Sequence, residues 1–277
     1  MVRDGCDVRS LEAIMHFVEV GDTTLAYQSR GGGDLAVFVH GFPLDHRLWL
    51  DQLDALGDLR QCVAPDLRGS GSSDAVASLV LAMEQVADDL AELIESLGHT
   101  SADVVSLSMG GYGALALWER HPERVRSLVL MDTRPGADSE AGRAGRRETA
   151  ERVADEGGGV LVASLQKALL APGAELAARV RLRGMIEATA PETIVASLEG
   201  MARRADRTDI LSSITVPTLV MVGADDGLTP PDMAEHMAEL IPTAELVVIP
   251  GAGHLPPIET PEAVNDALRA FWERSDS

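Results

Sequence analysis

The sequence predicts an α/β fold: a mostly parallel, eight-stranded sheet flanked by helices, with a helical insertion. Two observations carry this expectation. Short apolar runs alternate with longer segments of helical period, the pattern of a sheet covered by helices. From Arg134 to Ala205 that alternation stops, and only helical periodicity remains, punctuated by Gly157-Gly158-Gly159, Pro172-Gly173 and Pro191.

In chain order, Ile14–Val20 and Thr23–Ser29 alternate polar and apolar residues around Gly21-Asp22, a hairpin signal that opens the sheet with an antiparallel edge. Leu35–His40, Gln61–Pro65, Ala102–Leu107, Val125–Met131, Val216–Gly223 and Ala244–Pro250 read as apolar runs, as strands buried on both faces should. Helices are expected at Leu81–Leu97, Gly110–Arg120, Pro231–Ile241 and Pro261–Glu273. The last two open on proline, whose fixed φ suits a first turn. The expected division is a core of residues 1–133 and 206–277 and a helical cap of residues 134–205.

Of 277 residues, 23 are basic and 44 acidic, a net charge of −21, and 45% are hydrophobic. Such a chain can fill a core, which excludes wholesale disorder. Its charge argues against nucleic acid and anionic membrane surfaces as partners. No apolar run reaches the ~18 residues needed to span a bilayer. The first ten residues show no leader pattern, and the two cysteines, Cys6 and Cys62, fit a reducing cytoplasm rather than a disulfide scaffold. Charge is unevenly placed: residues 134–205 hold 11 basic and 10 acidic residues and no aromatic one, against 12 basic and 34 acidic elsewhere.

The chemistry-bearing residues follow strands. Ala102–Leu107 runs into Ser108-Met109-Gly110-Gly111 and a helix. A strand-to-helix turn this tight needs small neighbours and thrusts its central side chain, Ser108, out at the carboxyl end of the sheet. A plainer reading makes Ser108 only a helix N-cap. A serine hydroxyl needs a base held by a carboxylate. His254 lies in Gly251-Ala252-Gly253-His254 after the last strand, and Asp226 in the loop after Val216–Gly223. Asp132, which follows Val125–Met131, is the alternative acid, and Asp225 is a third candidate in the same loop as Asp226.

Ser106-Leu107-Ser108-Met109-Gly110 is similar to the G-x-S-x-G elbow of the α/β-hydrolase family, with Ser106 in place of the first glycine, and the order Ser108, Asp226, His254 is that family's triad order. His40-Gly41-Phe42-Pro43 resembles the family's oxyanion loop, and Asp66-Leu67-Arg68-Gly69-Ser70-Gly71-Ser72-Ser73 its structural D-x-R-G-x-G-x-S loop. The resemblance spans nearly the whole chain, with residues 134–205 matching the cap. It implies Ser108 as nucleophile, His254 as base, Asp226 as orienting acid, and the Phe42 and Met109 N–H groups as oxyanion donors. It further implies a serine esterase, lactonase or cofactor-free perhydrolase with no metal or organic cofactor. Dehalogenases and epoxide hydrolases of the family carry aspartate at the elbow. Hydrolysis of a small-molecule ester or lactone is the expected activity.

Rival readings are weaker. Gly111-Tyr112-Gly113-Ala114-Leu115-Ala116 with Asp132 imitates a dinucleotide fingerprint, but its first glycine falls four residues past the strand and the other loops go unexplained. A non-catalytic ligand receptor on the same fold is the rival of a different class. No metal-ligand spacing such as H-E-x-x-H occurs. Candidate substrate-contacting residues are His40, Gly41, Trp49, Asp132, Leu165 and Met185. An aromatic-free cap offers Met and Leu surface, which predicts a short-to-medium aliphatic acyl group. The acidic core should disfavour multiply anionic substrates, and the arginines of the cap should offset that field locally. The oligomeric state is left open.

Overall fold

The structure is a computed structural model that describes residues 14–276. Cys6 and the first ten residues, on which the leader reading rests, lie outside them. The chain opens with the hairpin β1 (His16–Val20) and β2 (Thr23–Arg30), followed by β3 (Leu35–Val39), α1 (Leu50–Leu56), β4 (Gln61–Pro65) and α2 (Met83–Ser96). Next come β5 (Ala102–Leu107), α3 (Met109–Arg120) and β6 (Val125–Met131). Four helices then follow without a strand: α4 (Glu140–Glu156), α5 (Val162–Leu169), α6 (Leu176–Ala188) and α7 (Pro191–Arg203). Alternation resumes with β7 (Thr218–Gly223), α8 (Pro231–Leu240), β8 (Ala244–Ile249), α9 (Pro256–Glu259) and α10 (Pro261–Ser275).

All eight strands form one sheet in the order β1-β2-β4-β3-β5-β6-β7-β8. β2 runs antiparallel to β1 and β4, and every other pair is parallel. The exits of β3, β5, β6, β7 and β8 therefore lie along one edge of the sheet. In open α/β sheets this carboxyl edge is where ligands bind.

The eight strands and four predicted helices match the sequence expectation to within a few residues. α1, less than two full turns, is too short to give a periodic signal. β8 departs from the expected two-sided burial: it is the edge strand, and Glu245, Leu246 and Val248 are exposed. The central strands β3, β5 and β7 are buried throughout. Under the sheet, Phe38 lies 5.4 Å from Trp49 and 6.4 Å from Trp272, centroid to centroid. At the end of the sheet remote from the loops above, buried Asp103 accepts from Arg60, Arg126 and Ser127, which ties β5 to its neighbours. Among the described residues no helix is long and apolar enough to cross a membrane.

Candidate active site

The turn from β5 into α3 holds Ser108 at φ 54° and ψ −114°, a left-handed conformation that costs a non-glycine residue energy. Close packing imposes it. A Cβ on Gly110 would fall 2.4 Å from the Val39 carbonyl oxygen, and one on Gly41 3.1 Å from the Ser108 Cβ. The exits of β3 and β5 thus nest together only because glycine stands at both places. Ser106, where the family pattern has glycine, is fully buried and donates its hydroxyl to the Val129 carbonyl on β6 at 2.8 Å. The N-cap reading of Ser108 fails, since its side chain makes no cap hydrogen bond.

The Ser108 hydroxyl instead lies 2.8 Å from Nε2 of His254, and Nδ1 of His254 lies 2.7 Å from Oδ2 of Asp226. His254 and Asp226 are buried. Oδ1 of Asp226 accepts from the Leu228 and Thr229 N–H groups, and Oδ2 also accepts from the Thr229 hydroxyl. Burial alone would push the Asp226 carboxyl up. The His254 ring, with these donors, outweighs it and holds the pKa at about 2. Asp226 is therefore an anion, Nδ1–H of His254 donates to it, and Nε2 is left to accept from Ser108.

Asp225 is exposed, one residue along the same loop. Asp132 lies below the pair. Its Oδ1 accepts from the Gly223 N–H at 2.8 Å, and its carboxylate comes within 4.8 Å of Asp226 and His254. Burial and then the Asp226 charge raise the Asp132 pKa well above its ordinary value of 3.8, which favours its neutral form. The Asp132, Asp226 and His254 cluster has metal-ligand residue types, as do Asp45, His46 and Asp66. In both, histidine nitrogen already meets carboxylate oxygen at 2.7–2.8 Å, which closes the space a cation would occupy.

Sequence reasoning missed Glu259. One oxygen accepts from the Gly253 and Leu255 N–H groups on either side of His254, and the other from the Ala171 N–H after α5. The His254 N–H donates to the Leu169 carbonyl at 2.9 Å. Nothing in the local sequence marks Glu259, because it meets backbone N–H groups, which carry no sequence signature, and one of them, that of Ala171, lies 88 residues away.

Above Ser108 opens a cavity of ≈ 470 Å³, bordered by Phe42, Tyr112 and Leu228 from the sheet side and by α4, α5 and α7. Leu165 lines it as expected. Five other expected substrate contacts do not. His40 is fully buried below the cavity, its Nε2 accepting from the Leu67 N–H and its Nδ1–H donating to the Gly41 carbonyl. Burial lowers its pKa, which keeps the ring neutral in this role. Trp49 points into the core against Phe38, Met185 is buried on α6, and Asp132 sits behind Asp226. Gly41 backs Ser108 rather than facing the cavity. The Asp66 loop is structural: Asp66 accepts from His46 and Ser72, and Arg68 pairs with Asp89.

The chain belongs to the α/β hydrolase fold family, whose model matches residues 36–261. Three similar proteins show its reach. A chain of Mycobacterium tuberculosis, provisionally named a non-heme bromoperoxidase, is 31% identical over 90% of this chain and 97% of its own. A thermophilic esterase from Thermogutta terrifontis superposes with a TM-score of 0.92 and 38% identity, covering 96% of this chain and all of that one. The enol-lactonase of Burkholderia xenovorans gives a TM-score of 0.85 and 25% identity over 93% of this chain and 100% of that one.

Proposed function

We propose that the protein is a serine hydrolase that cleaves a carboxylic ester or lactone through an acyl-enzyme, with Ser108, His254 and Asp226 as its triad. The observation that carries this is the unbroken chain Ser108 Oγ to His254 Nε2 and His254 Nδ1 to Asp226 Oδ2, at 2.8 and 2.7 Å, opening on a cavity. Ser108 Oγ attacks the carbonyl carbon while Nε2 takes its proton. The resulting imidazolium is stabilised by anionic Asp226 and returns the proton to the departing alkoxide, leaving the acyl group on Ser108. Water, deprotonated by the same nitrogen, then releases the acid and restores the serine. The Phe42 and Met109 N–H groups, which no acceptor among the described residues takes, supply the oxyanion donors. Residues 134–205 act as the cap that covers this site.

The likeness to esterase, lactonase and bromoperoxidase chains supports this reading and favours one variant of it. Hydrogen peroxide attacking the acyl-enzyme in place of water would give a peracid by the same machinery. A panel of acyl esters, lactones and peracid formation, run on wild type and Ser108→Ala, tests both. Loss of Ser108 should lower kcat by a factor on the order of 10⁶, because nucleophile and base act as a unit. Near-normal turnover by Ser108→Ala overturns the assignment. A protein that binds ligands without turning any over would be a receptor.

A further inference from the structure

The cavity over Ser108 is lined by two chemically different sets of residues. Phe42, Leu161, Leu165, Leu169, Leu198 and Met201 are apolar. Arg134, Arg146 and Arg152 are cationic, and Arg146 meets the Met201 sulfur at 3.4 Å. The α4 residues at the cavity are Gly142, Gly145, Arg146, Thr149 and Arg152, spaced as one face of a helix. That face carries two cations and no acid. The five acidic residues of α4, Glu140 through Glu156, all lie away from the cavity.

The cations are incompletely matched. Among the described residues Asp138 is the one acid bordering the cavity, and it is buried. Its carboxylate meets Arg134 at 2.6 Å, Arg204 at 2.9 Å and also Arg146, so three guanidiniums share one negative charge. Arg204 stacks 4.1 Å from the Tyr112 ring centroid, behind the cavity wall. Nε of Arg134 is buried without a partner. Arg152 makes no ion pair or hydrogen bond to any described residue and stands on the cavity-facing side of α4. The count is four cations to one anion, beside a nucleophile, in a chain whose net charge is −21.

We propose that the cavity takes esters or lactones that bear a carboxylate at the end remote from the scissile carbonyl, bound by Arg134, Arg146 and Arg152. This rests on the serine-hydrolase reading above. A planar carboxylate matches the guanidinium fork, and the apolar lining residues accommodate the methylene chain that joins it to the ester. A single negative charge is favoured over a phosphate dianion, because the strongly negative surface repels the dianion about twice as much on approach. The aliphatic acyl group expected from the cap composition is thus retained, and its far end is charged.

The test compares monoethyl adipate with its ω-carboxamide, two substrates of equal length that differ in one charge, at low ionic strength. Wild type should favour the carboxylate in kcat/KM by on the order of 10–100-fold. Arg152→Gln, at an exposed and unpaired position where folding is not at risk, should bring that ratio toward one, and Arg146→Gln should lower it as well. A Ser108-dependent turnover with a wild-type ratio of one or less overturns this inference alone. So does a ratio that survives in both variants, since the charge would then be read elsewhere. Absence of turnover of either ester, or its retention in Ser108→Ala, overturns the hydrolase reading and the inference with it.

Discussion

α3 buries ten of its twelve residues, Met109 through Trp118, whereas α4 buries one of seventeen, Val153. Both border the same cavity. α3 is placed by contact: glycines at 110, 111 and 113 let it approach β3, Thr133 and α2 more closely than any side chain would allow. α4 has no apolar stripe to bury and is held by polar ties, chiefly Arg146 and Arg143 to Asp138. Packing fixes the turn that carries Ser108. Ion pairing holds a surface in place while leaving guanidinium groups over. One cavity thereby obtains a closely packed floor and a charged wall.

The sharpest way to break this contrast is Gly110→Ala. Its Cβ would meet backbone oxygen at 2.4 Å, which cannot swing aside, so a loss of about 3 kcal/mol or more is expected by urea denaturation. Asp138→Asn attacks the other helix, leaving three guanidiniums without their shared anion. About 2 kcal/mol should be lost at neutral pH, with a smaller loss in high salt. Burial pushes the Asp138 carboxyl up, but its arginines hold it below the ordinary value of 3.8. Its contribution is present above that pH and disappears as pH falls through the folded value.

Asp132→Asn should act with the opposite sign. The Asp132 pKa is raised, so the unfolded chain gains free energy by ionising once pH passes 3.8 and the folded protein does not. Asparagine keeps the acceptor for Gly223 and removes that penalty. Melting temperature should rise at neutral pH, with the gain vanishing below 3.8. A variant less stable at neutral pH would mean that Asp132 is ionised when folded. The smallest effect expected is at Gly145 on α4, where a Cβ meets nothing within 4 Å. Gly145→Ala should stabilise by up to about 1 kcal/mol through helix propensity, the reverse of Gly110→Ala. Equal signs at the two positions would dissolve the contrast.

The sheet was legible because six of its strands are apolar runs with a definite end and the first two alternate polar and apolar residues about a turn. The Ser108, Asp226 and His254 loops were legible because each follows such an end at a place where glycine crowds the chain. What lay beyond reading was phase. Which side of a helix in residues 134–205 meets the cavity is decided by how the helices dock, so Leu165 reaches it and Met185 does not. The arginines of residues 134–205 were visible as a composition, but Arg146 and Arg152 line the cavity over Ser108 only through the rotation of α4. His40 and Trp49 show the converse error. Both lie close in sequence to a functional loop, yet one turns beneath the sheet edge and the other into the core.

Glu259 binds chain segments that a diagram of the fold would assign to different parts, accepting from Ala171 on one side and from Gly253 and Leu255 on the other. The helical segment 134–205 and the rest of the chain are therefore not interchangeable modules in inheritance or in engineering. A segment grafted from a relative must present a backbone N–H at the place of Ala171 and a carbonyl at the place of Leu169, or the histidine loop loses its register. Length variation is tolerable beyond Ala171, in the turn at Pro172-Gly173, and costly before it. Lineages that diversify this scaffold by reshaping that segment should do so around this fixed stitch.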